Sequence, residues 1–501
     1  MTPAVALAAI LVYFVLIFII SRFSRHNTGG GNFFGNRRTP WLIAAIAAVG
    51  APVSGVTFIS VPGMVITKSF SYLEMILGFA VGYAVIAYIL VPLFYRKNLT
   101  SIYGYLEDRY GRATHATGAW FFFISKMLGA SVRFFVVCIV LQNLLFGPLG
   151  IPFTVNIIVS ISLIFLYTSQ GGVKTVIWTD SLKTLCIVSA VIICIVTMAG
   201  ALGMNFNSMC RAVADDPCSR IFFFDDPKNG LFFWKQFIAG IFLVIATNGL
   251  DQDMMQRNLS CRNSKEAAKS VLLGAGVQFV IIFLFLMLGV LMLRYFNLET
   301  FGAKGAPAED VISGLSGSTD NLFPTVVASK GMPSVAVFLF VLGLCAASYS
   351  TAGAALTALT TSFTIDILKA DRKKEGNSLD RTRKWVHASM AVCMGAVILV
   401  FNAINNQDAI SAVYLLASYT YGPILGLFAF GMMCKAPVRD RAVPLICIAA
   451  PFLSYALKTW LKLSFGYTVS HELLLINAAF VMVGMALLRM PVTSVPCRKQ
   501  P

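Results

Sequence analysis

Long apolar segments alternate with short polar stretches along almost the whole chain. About thirteen segments approach 20 residues, the length that a helix needs to cross the hydrocarbon core of a bilayer. Their centres lie near Val12, Val53, Val81, Phe134, Ser160, Val191, Gly240, Ile282, Gly343, Met394, Leu416, Ala449 and Phe480. Little polar sequence remains for a soluble domain. The pattern therefore predicts one all-α integral membrane domain, residues 1–501, with about 13 transmembrane helices.

The composition agrees with this prediction, because 57% of the 501 residues are hydrophobic and only 12% are charged. In the first apolar segment the basic residues Arg22 and Arg25 follow the apolar core, the reverse of a secretory signal. We therefore expect a retained first helix, with the N-terminus outside a cell membrane and the C-terminus in the cytoplasm.

The formal net charge of +17 is concentrated in the predicted cytoplasmic loops, most strongly at residues 369–384. Arg133 is the one basic residue that we place inside a span. Basic cytoplasmic loops next to anionic lipid explain this charge without a nucleic acid. The expected partners are the lipid bilayer and small transported species, and no obligatory protein partner is evident.

Two of the eleven cysteines, Cys210 and Cys218, fall in a polar loop that we place outside the membrane. A disulfide in an oxidising compartment and two free thiols are equally compatible with this position.

Two spans contain interruptions at mid-depth. Residues 50–55 read GAPVSG and residues 247–249 read TNG. Glycine and proline favour unwound backbone, and paired breaks at matching positions are typical of a midplane binding site, because freed carbonyls can bind a cation. A simple kink is the alternative explanation for each.

The order of the spans permits an internal repeat. After an extra helix in residues 1–22, ten spans divide into residues 41–203 and 230–432, and two further helices occupy residues 441–490. A unit with five spans reverses its orientation when it is repeated, as in many transporters. The parity is compatible with an inverted repeat but does not prove one.

Hydroxyl groups lie in the middle of another long apolar segment, at Ser350 and Thr351. Polar groups at this depth need a hydrogen-bond partner or an ion, and hydroxyl oxygens suit a small hard cation such as sodium. The alternative is a hydrogen bond back to the carbonyl four residues earlier.

Four motifs occur in the order typical of one family. They are YGYLEDRYG at residues 103–111, GGVKTVIWTD at 171–180, DQDMMQR at 251–257, and the Ser-Thr pair followed by TTSFTID at 360–366. Together they resemble the sodium/solute symporter family (SSS/SSF). The resemblance implies a LeuT-type fold, with a five-plus-five inverted repeat, one extra N-terminal helix and two extra C-terminal helices.

The resemblance also implies a sodium site between the broken first core helix and the eighth. Its ligands would be the carbonyls of Gly50, Val53 and Ala347 and the hydroxyls of Ser350 and Thr351. Relatives that bind a second sodium have further serines where this chain has glycine and alanine, so we expect one sodium per cycle.

Other candidates follow from position and charge. Asp180 is expected either in the ion pathway or as a helix N-cap. Arg133 could bind a substrate carboxylate or pair with an internal acid. Further substrate-binding candidates are Thr57, Ser60, Glu74 and Tyr419.

We therefore expect a sodium-coupled secondary active symporter, not an enzyme, that imports a small hydrophilic solute by alternating access. An organic anion such as a sialic acid or another carboxylate is the preferred solute. The alternatives are a sugar or polyol symporter and a proton-coupled carrier on the same scaffold. A membrane sensor or channel fits the sequence less well.

Overall fold

The computed structural model describes residues 3–25, 46–47, 50, 53–97, 99, 101–170, 173–302, 306–315, 317–329, 332–370, 377–404 and 409–490. Across these residues the fold is helical, apart from one isolated antiparallel bridge between Val438 and Arg489. The fold is all-α, as predicted.

Fourteen helices contain most of the apolar sequence. In chain order they are α1 (Pro3–Arg25), α2 (Gly55–Lys68), α3 (Tyr72–Arg96), α4 (Arg112–Phe146), α5 (Phe153–Gln170), α6 (Val173–Ala201), α7 (Phe233–Gly249), α8 (Gln252–Asn258), α9 (Ser264–Phe301), α10 (Ser334–Ile367), α11 (Asn377–Ile404), α12 (Ala409–Met433), α13 (Val443–Phe465) and α14 (Leu473–Leu487). Shorter helices lie in the connections, among them Gly104–Arg109, Phe206–Ala214 and Leu322–Ala328.

Within the described residues, eight helices are long and apolar enough to cross a membrane, or nine if α7 and α8 form one broken span. Four shorter apolar helices, of 10–17 residues, come from α1, α2, α5 and α14. Each predicted centre lies in or beside one of these helices. These helices are consistent with a multi-pass membrane protein, whereas the count of 13 spans stays a prediction.

The start of α2 coincides with the first predicted break. Val53 and Ser54 are not helical, and α2 begins at Gly55. The Ser54 hydroxyl accepts a hydrogen bond from the Thr57 amide, and the Thr57 hydroxyl accepts one from the Ser54 amide. These bonds satisfy amides that a new helix leaves without partners. Residues 51 and 52 of the predicted break lie outside the described residues.

The second break lies between α7 and α8, where the chain bends by 74°. A π-helical turn at Ile245–Gly249 ends α7, and Asp251 caps α8 by accepting hydrogen bonds from the amides of Asp253 and Met254. The break is thus one or two residues after the predicted Thr247-Asn248-Gly249 sequence, because the capping carboxylate decides where the second helix begins.

Glycines bring α3 and α7 into direct backbone contact. A Cβ atom at Gly78 would overlap the carbonyl oxygen of Phe237, and one at Gly240 would overlap that of Met75. Small residues allow this approach between membrane helices, where van der Waals contact replaces the hydrophobic effect as the main source of association. The two helices therefore form one closely packed unit.

Aromatic packing fixes α2 beside two other helices. The ring of Phe58 lies 5.5 Å from that of Phe285 in α9 and 5.6 Å from that of Phe340 in α10, between ring centroids. It also stacks on Phe323 of the Leu322–Ala328 helix at 5.2 Å. All four rings are fully buried, so the segment after the first break is held on three sides.

Polar contacts attach the connecting segments to the helices. The Glu74 carboxylate accepts a hydrogen bond from the Phe223 amide at 2.8 Å, and Arg294 pairs with Asp216 at 2.8 Å. Cys210 and Cys218 are both free thiols, the former exposed and the latter partly buried. Of the two alternatives left open by the sequence, the structure therefore shows two free thiols and not a disulfide.

Candidate functional site

A central cavity is lined by the first turn of α2, the first half of α3, the middle of α4, the last turn of α7, the start of α8, the middle of α9 and the first half of α12. The polar residues that line it are Thr57, Tyr72, Ser125, Lys126, Arg133, Thr247, Asn248, Asp251, Gln278, Tyr414 and Tyr421. Both predicted breaks therefore adjoin one polar cavity. Two of the predicted substrate-binding residues, Thr57 and Arg133, belong to its lining.

Arg133 is a half-buried cation in the wall of this cavity. Among the described residues it has no acidic partner, whereas the other buried basic side chains near it are all paired. A guanidinium carries five N–H donors and prefers a planar, bidentate anion. The geometry thus offers no support for the internal ion pair that the sequence left open, and it leaves Arg133 available to a solute.

Neutral groups occupy another part of the wall. The Asn248 amide donates to the Tyr83 hydroxyl at 2.6 Å, and that hydroxyl donates to Gln278 at 2.9 Å. A second pair, the hydroxyls of Tyr72 and Tyr414, is 2.6 Å apart. These bonds connect α3 to α7, α9 and α12, and they present amides and hydroxyls to a polar solute.

A cluster of six buried ionic groups borders the cavity. We call Lys126, Asp180, Lys183, Asp251, Asp253 and Arg257 the charge cluster. The Lys126 ammonium lies 3.1 Å from Asp251 and 2.9 Å from Asp253, and Arg257 lies 3.1 Å from both Asp253 and Asp180. Three acids balance three bases, which is the condition under which buried charges are tolerated.

The predicted sodium ligands of α10 are in place on one strip of that helix. Ser350 is buried and donates to Asp180 at 2.7 Å. The Thr351 hydroxyl donates to the Ala347 carbonyl at 2.7 Å, which is the intrahelical bond that the sequence offered as the alternative. Gly50 and Val53 are buried, and a Cβ atom at Gly50 would lie 2.7 Å from the Asp180 carbonyl oxygen. The first break therefore packs directly on α6.

Lys183 of α6 reaches into the same place. It is 1% exposed, its ammonium donates to the Thr351 hydroxyl at 3.1 Å, and it lies 3.4 Å from the Asp180 carboxylate. Its Cε atom is 3.3 Å from the position of a Cβ atom on Gly50. A basic side chain of the protein thus lies against the predicted sodium ligands.

Asp180 is not an N-cap, because it lies inside α6, seven residues after Val173. Its carboxylate accepts from Ser350 and pairs with Lys183 and Arg257. The N-cap alternative is therefore wrong, and Asp180 instead joins the predicted ion site to the charge cluster.

Three other predicted substrate residues are not among those that line the cavity. Glu74 is buried with its carboxylate on the Phe223 amide, so it anchors a connecting segment. Ser60 is buried one turn after Thr57, among the packed residues of α2. Tyr419 contributes its backbone carbonyl to a hydrogen bond from Asn477 at 2.9 Å.

Our assignment of Arg133 as the only basic residue inside a span is wrong. Lys126, Lys183 and Arg257 are buried as well, because each is neutralised by a carboxylate of the charge cluster. Part of this was readable from the sequence, since Asp180 and Lys183 are spaced i,i+3 and Asp253 and Arg257 i,i+4, which places each pair on one helix face. The pairs between helices left no such signal.

The fold and the site together define a class of protein. Several apolar helices are long enough to cross a membrane, α2 follows one capped break, and a second capped break separates α7 from α8. Both breaks adjoin a polar cavity, whose wall contains a cation without an acidic partner among the described residues. Polar cavities between discontinuous helices are the binding sites of secondary transporters.

Comparison with known proteins places the chain within this class. The model of the sodium:solute symporter family matches residues 32–442, and the chain belongs to that family. Its relatives are transporters. They include the human sodium/iodide cotransporter, 23% identical over 409 residues that make up 81% of this chain and 61% of that protein. The rabbit (Oryctolagus cuniculus) sodium-dependent multivitamin transporter is 25% identical over 426 residues, 82% of this chain and 63% of that protein.

The chain thus spans about three fifths of the length of these two relatives. The fold is that of a solved Na+-coupled sialic acid symporter in a substrate-bound, outward-open state. The two structures superpose with a TM-score of 0.77 at 18% identity, over 96% of this chain and 97% of the other.

Proposed function

We propose that this protein is a sodium-coupled symporter of a cell membrane that imports a small hydrophilic organic anion. The observation that carries the anion is Arg133, a cation that faces the central cavity and has no acidic partner among the described residues. The family and the arrangement of Gly50, Ser350 and Thr351 support sodium as the driving ion.

The proposed architecture is the one expected from the sequence: 13 spans, with residues 41–203 and 230–432 as inverted repeats, the N-terminus outside and the C-terminus in the cytoplasm. The match of the two breaks supports it, since α2 and α7–α8 would then begin the two repeats. Both adjoin the same cavity.

Sodium would bind between the first break and α10, held by the carbonyls of Gly50, Val53 and Ala347 and the hydroxyls of Ser350 and Thr351. An ion there bridges two helices and stabilises the geometry that binds solute. The resulting shift between conformations is limited by the difference in ion and solute affinity between them.

One sodium per cycle is sufficient to drive uptake. A single charge that crosses a potential of 100 mV releases about 2.3 kcal/mol. For a neutral solute, at about 1.4 kcal/mol per factor of ten, this supports roughly 50-fold accumulation before any sodium gradient is added. One sodium that moves with a monovalent carboxylate carries no net charge, so the concentration gradient of sodium alone drives uptake of the proposed anion, with about tenfold accumulation for each tenfold sodium gradient.

The solute would place a carboxylate against Arg133 and hydroxyl or amide groups against Asn248 and Gln278. The Asn248–Tyr83–Gln278 chain of hydrogen bonds holds the two amides in fixed positions. A carboxylate with several hydroxyls, such as an acidic sugar, fits both parts of the wall. A neutral sugar or polyol would use the amides and leave Arg133 without an anion, so it is the less favoured alternative.

The test is uptake into proteoliposomes with a panel of labelled carboxylates, neutral sugars and polyols, with and without an inward sodium gradient. We expect carboxylate uptake that stops in choline buffer. Uptake that persists in choline buffer would contradict sodium coupling, and selective uptake of a neutral sugar would contradict the anion.

Thr351→Ala tests the ion site. The variant should raise the sodium concentration for half-maximal uptake by about tenfold or more, if loss of one oxygen ligand costs as much as loss of a hydrogen bond to a charged group, about 1.5–3 kcal/mol. Thr357→Ala is the matched control, since this hydroxyl of the same helix donates only to the Gly353 carbonyl. Equal sodium dependence in both variants would remove Thr351 from the site.

A further inference from the structure

The side chain of Lys183 lies against the groups that we propose as sodium ligands. Its ammonium donates to the hydroxyl of Thr351, one of the five proposed ligands, at 3.1 Å. The backbone of Gly50, another proposed ligand, lies close to the Cε atom of Lys183. An ammonium and a sodium ion carry the same charge and both bind hydroxyl and carbonyl oxygens.

We propose that the ammonium of Lys183 is a tethered cation that competes with sodium for the site between the first break and α10. This inference rests on the proposed function, because it concerns the site where sodium would bind. The lysine fills the ion's place when sodium is absent, and sodium binding moves the ammonium away from Thr351.

Repulsion between like charges explains the competition. In the charge cluster, three acids face three bases, and Lys183 is one of the bases. A sodium ion added beside Thr351 while the ammonium is still there would place two cations next to each other in a buried site. Like charges at such a distance repel strongly where water is excluded.

The displaced ammonium can move toward the carboxylate of Asp180. The Asp180 carboxylate is already 3.4 Å away from it, one turn earlier on the same helix. A lysine side chain has four rotatable methylene groups and a compact charge, so it can shorten its distance to Asp180 without a shift of the backbone. Asp180 also accepts from Ser350 and pairs with Arg257. Sodium binding would therefore be felt in the charge cluster as well as at α10.

The competition has a measurable consequence for affinity. Part of the free energy of sodium binding is spent on moving the ammonium, so the native protein should bind sodium more weakly than a variant without it. Removing the charge should increase the affinity, which is the opposite of what is expected when a ligand of an ion site is removed.

The experiment measures binding of radioactive sodium to purified, solute-free protein in detergent, by a scintillation proximity assay. We expect Lys183→Met to lower the half-saturating sodium concentration by about tenfold or more, equivalent to about 1.4 kcal/mol. Lys183→Arg keeps a charge in the same position and should stay close to the native value. Lys183→Gln serves as a second neutral variant if Lys183→Met does not yield folded protein.

Two controls make the result specific. Lys126→Met removes another buried lysine of the charge cluster, one that pairs with Asp251 and Asp253 and does not contact Thr351. It should not lower the half-saturating concentration. Adding Thr351→Ala to Lys183→Met should cancel the gain, because the sodium that gained access then loses a ligand.

The outcomes separate this inference from the proposed function. Sodium-driven uptake by the native protein, with unchanged or weaker sodium binding in both neutral variants, overturns the competition and leaves the symport intact. Sodium dependence that appears only when Lys183 is neutralised supports the competition and contradicts sodium coupling in the native protein. Tighter binding in Lys126→Met as well would overturn the specific role of Lys183.

Discussion

Two basic side chains in neighbouring parts of the molecule have opposite surroundings. Lys183 is fully buried and bonded to Thr351 and Asp180, whereas Arg133 lines the cavity without an acidic partner among the described residues. A buried cation is stable when it is paired, and an unpaired one is tolerated where a ligand or water can reach it. The difference supports our proposals that Lys183 competes at the ion site and that Arg133 binds the solute.

Substitution of Arg133 tests the solute assignment. Arg133→Lys keeps the charge but loses the bidentate geometry, and Arg133→Gln loses both, so the Michaelis constant for a transported carboxylate should rise by about tenfold and by more than tenfold, respectively. Arg294→Lys, which alters a pair with Asp216 outside the cavity, is the matched control. Equal Michaelis constants in Arg133→Lys, Arg133→Gln and Arg294→Lys would show that Arg133 does not contact the carboxylate.

Residue-scale inference from the sequence was partly successful. Ser350 and Thr351 were identifiable because hydroxyls are unusual inside an apolar segment, and Arg133 because a charge is unusual there. Lys183 was not identified as a candidate, since its neighbour Thr351 is 168 residues away in sequence and nothing local reports that contact. Glu74 was expected near the solute, but the 2.8 Å bond to Phe223 is again a contact between distant segments.

At the scale of helices, the bend between α7 and α8 depends on Asp251. Its carboxylate caps α8, pairs with Lys126 and accepts from Tyr421 at 2.6 Å. One side chain therefore fixes the start of a helix and its position against α4 and α12. Gly249 indicated in the sequence that the span is interrupted. The position of the bend could not be predicted, because it depends on the cap formed by Asp251.

The pair formed by Asp251 and Lys126 can be measured in a double-mutant cycle. Asp251→Asn should lower the free energy of unfolding by about 3–5 kcal/mol, because it leaves Lys126 with an incomplete set of buried partners. Lys126→Met should also destabilise, and the double variant should lose clearly less than the sum of the two. The measurement is thermal unfolding in detergent, and strictly additive effects would show that the two side chains are not coupled.

The backbone contact between α3 and α7 gives a second prediction at this scale. Gly78→Ala should destabilise the protein by about 1–3 kcal/mol, since the added methyl group overlaps the Phe237 carbonyl and the helices must separate. Gly276→Ala in α9 is the control, because a Cβ atom there meets no other heavy atom within 4 Å. A control that melts earlier than Gly78→Ala would contradict the close packing of α3 and α7.

At the scale of the whole molecule, the hydrophobic pattern was sufficient to predict an all-helical membrane fold, because apolar segments of this length have few other uses. The number of spans is harder to establish, since α2, α5 and α14 are short and α7–α8 is bent. Orientation and the relation between the two five-helix groups remain predictions that depend on the distribution of charge.

Cysteine labelling tests the orientation. If residues 205–229 lie outside, Cys210 should react with an impermeant maleimide on intact cells, and Cys210→Ser should remove that signal. Cys218 should react much more slowly, because burial and the nearby Asp216 raise its pKa to about 11. The thiolate is the reactive form, so at every pH below that value Cys218 has a smaller reactive fraction than an ordinary thiol. Raising the pH from 7 to 9 should therefore speed up its labelling.

The labelling has clear contrary outcomes. Reaction of Cys210 only after the cells are permeabilised would place the loop in the cytoplasm and reverse the orientation. Labelling that appears only after reduction would show a disulfide between Cys210 and Cys218, contrary to the free thiols of the structure.

The length of α9 has a mechanical consequence. Its 38 residues extend for about 57 Å at 1.5 Å per residue, nearly twice the roughly 30 Å hydrocarbon thickness of a bilayer. Near one end, α9 is attached to a connecting segment by the ion pair between Arg294 and Asp216. Near its middle, it contributes Gln278 to the cavity. A tilt of about 5° around its middle would displace each tip by about 2.5 Å, in opposite directions. A small movement of one end of α9 on one face of the membrane would thus produce a movement of its other end in the opposite direction on the other face.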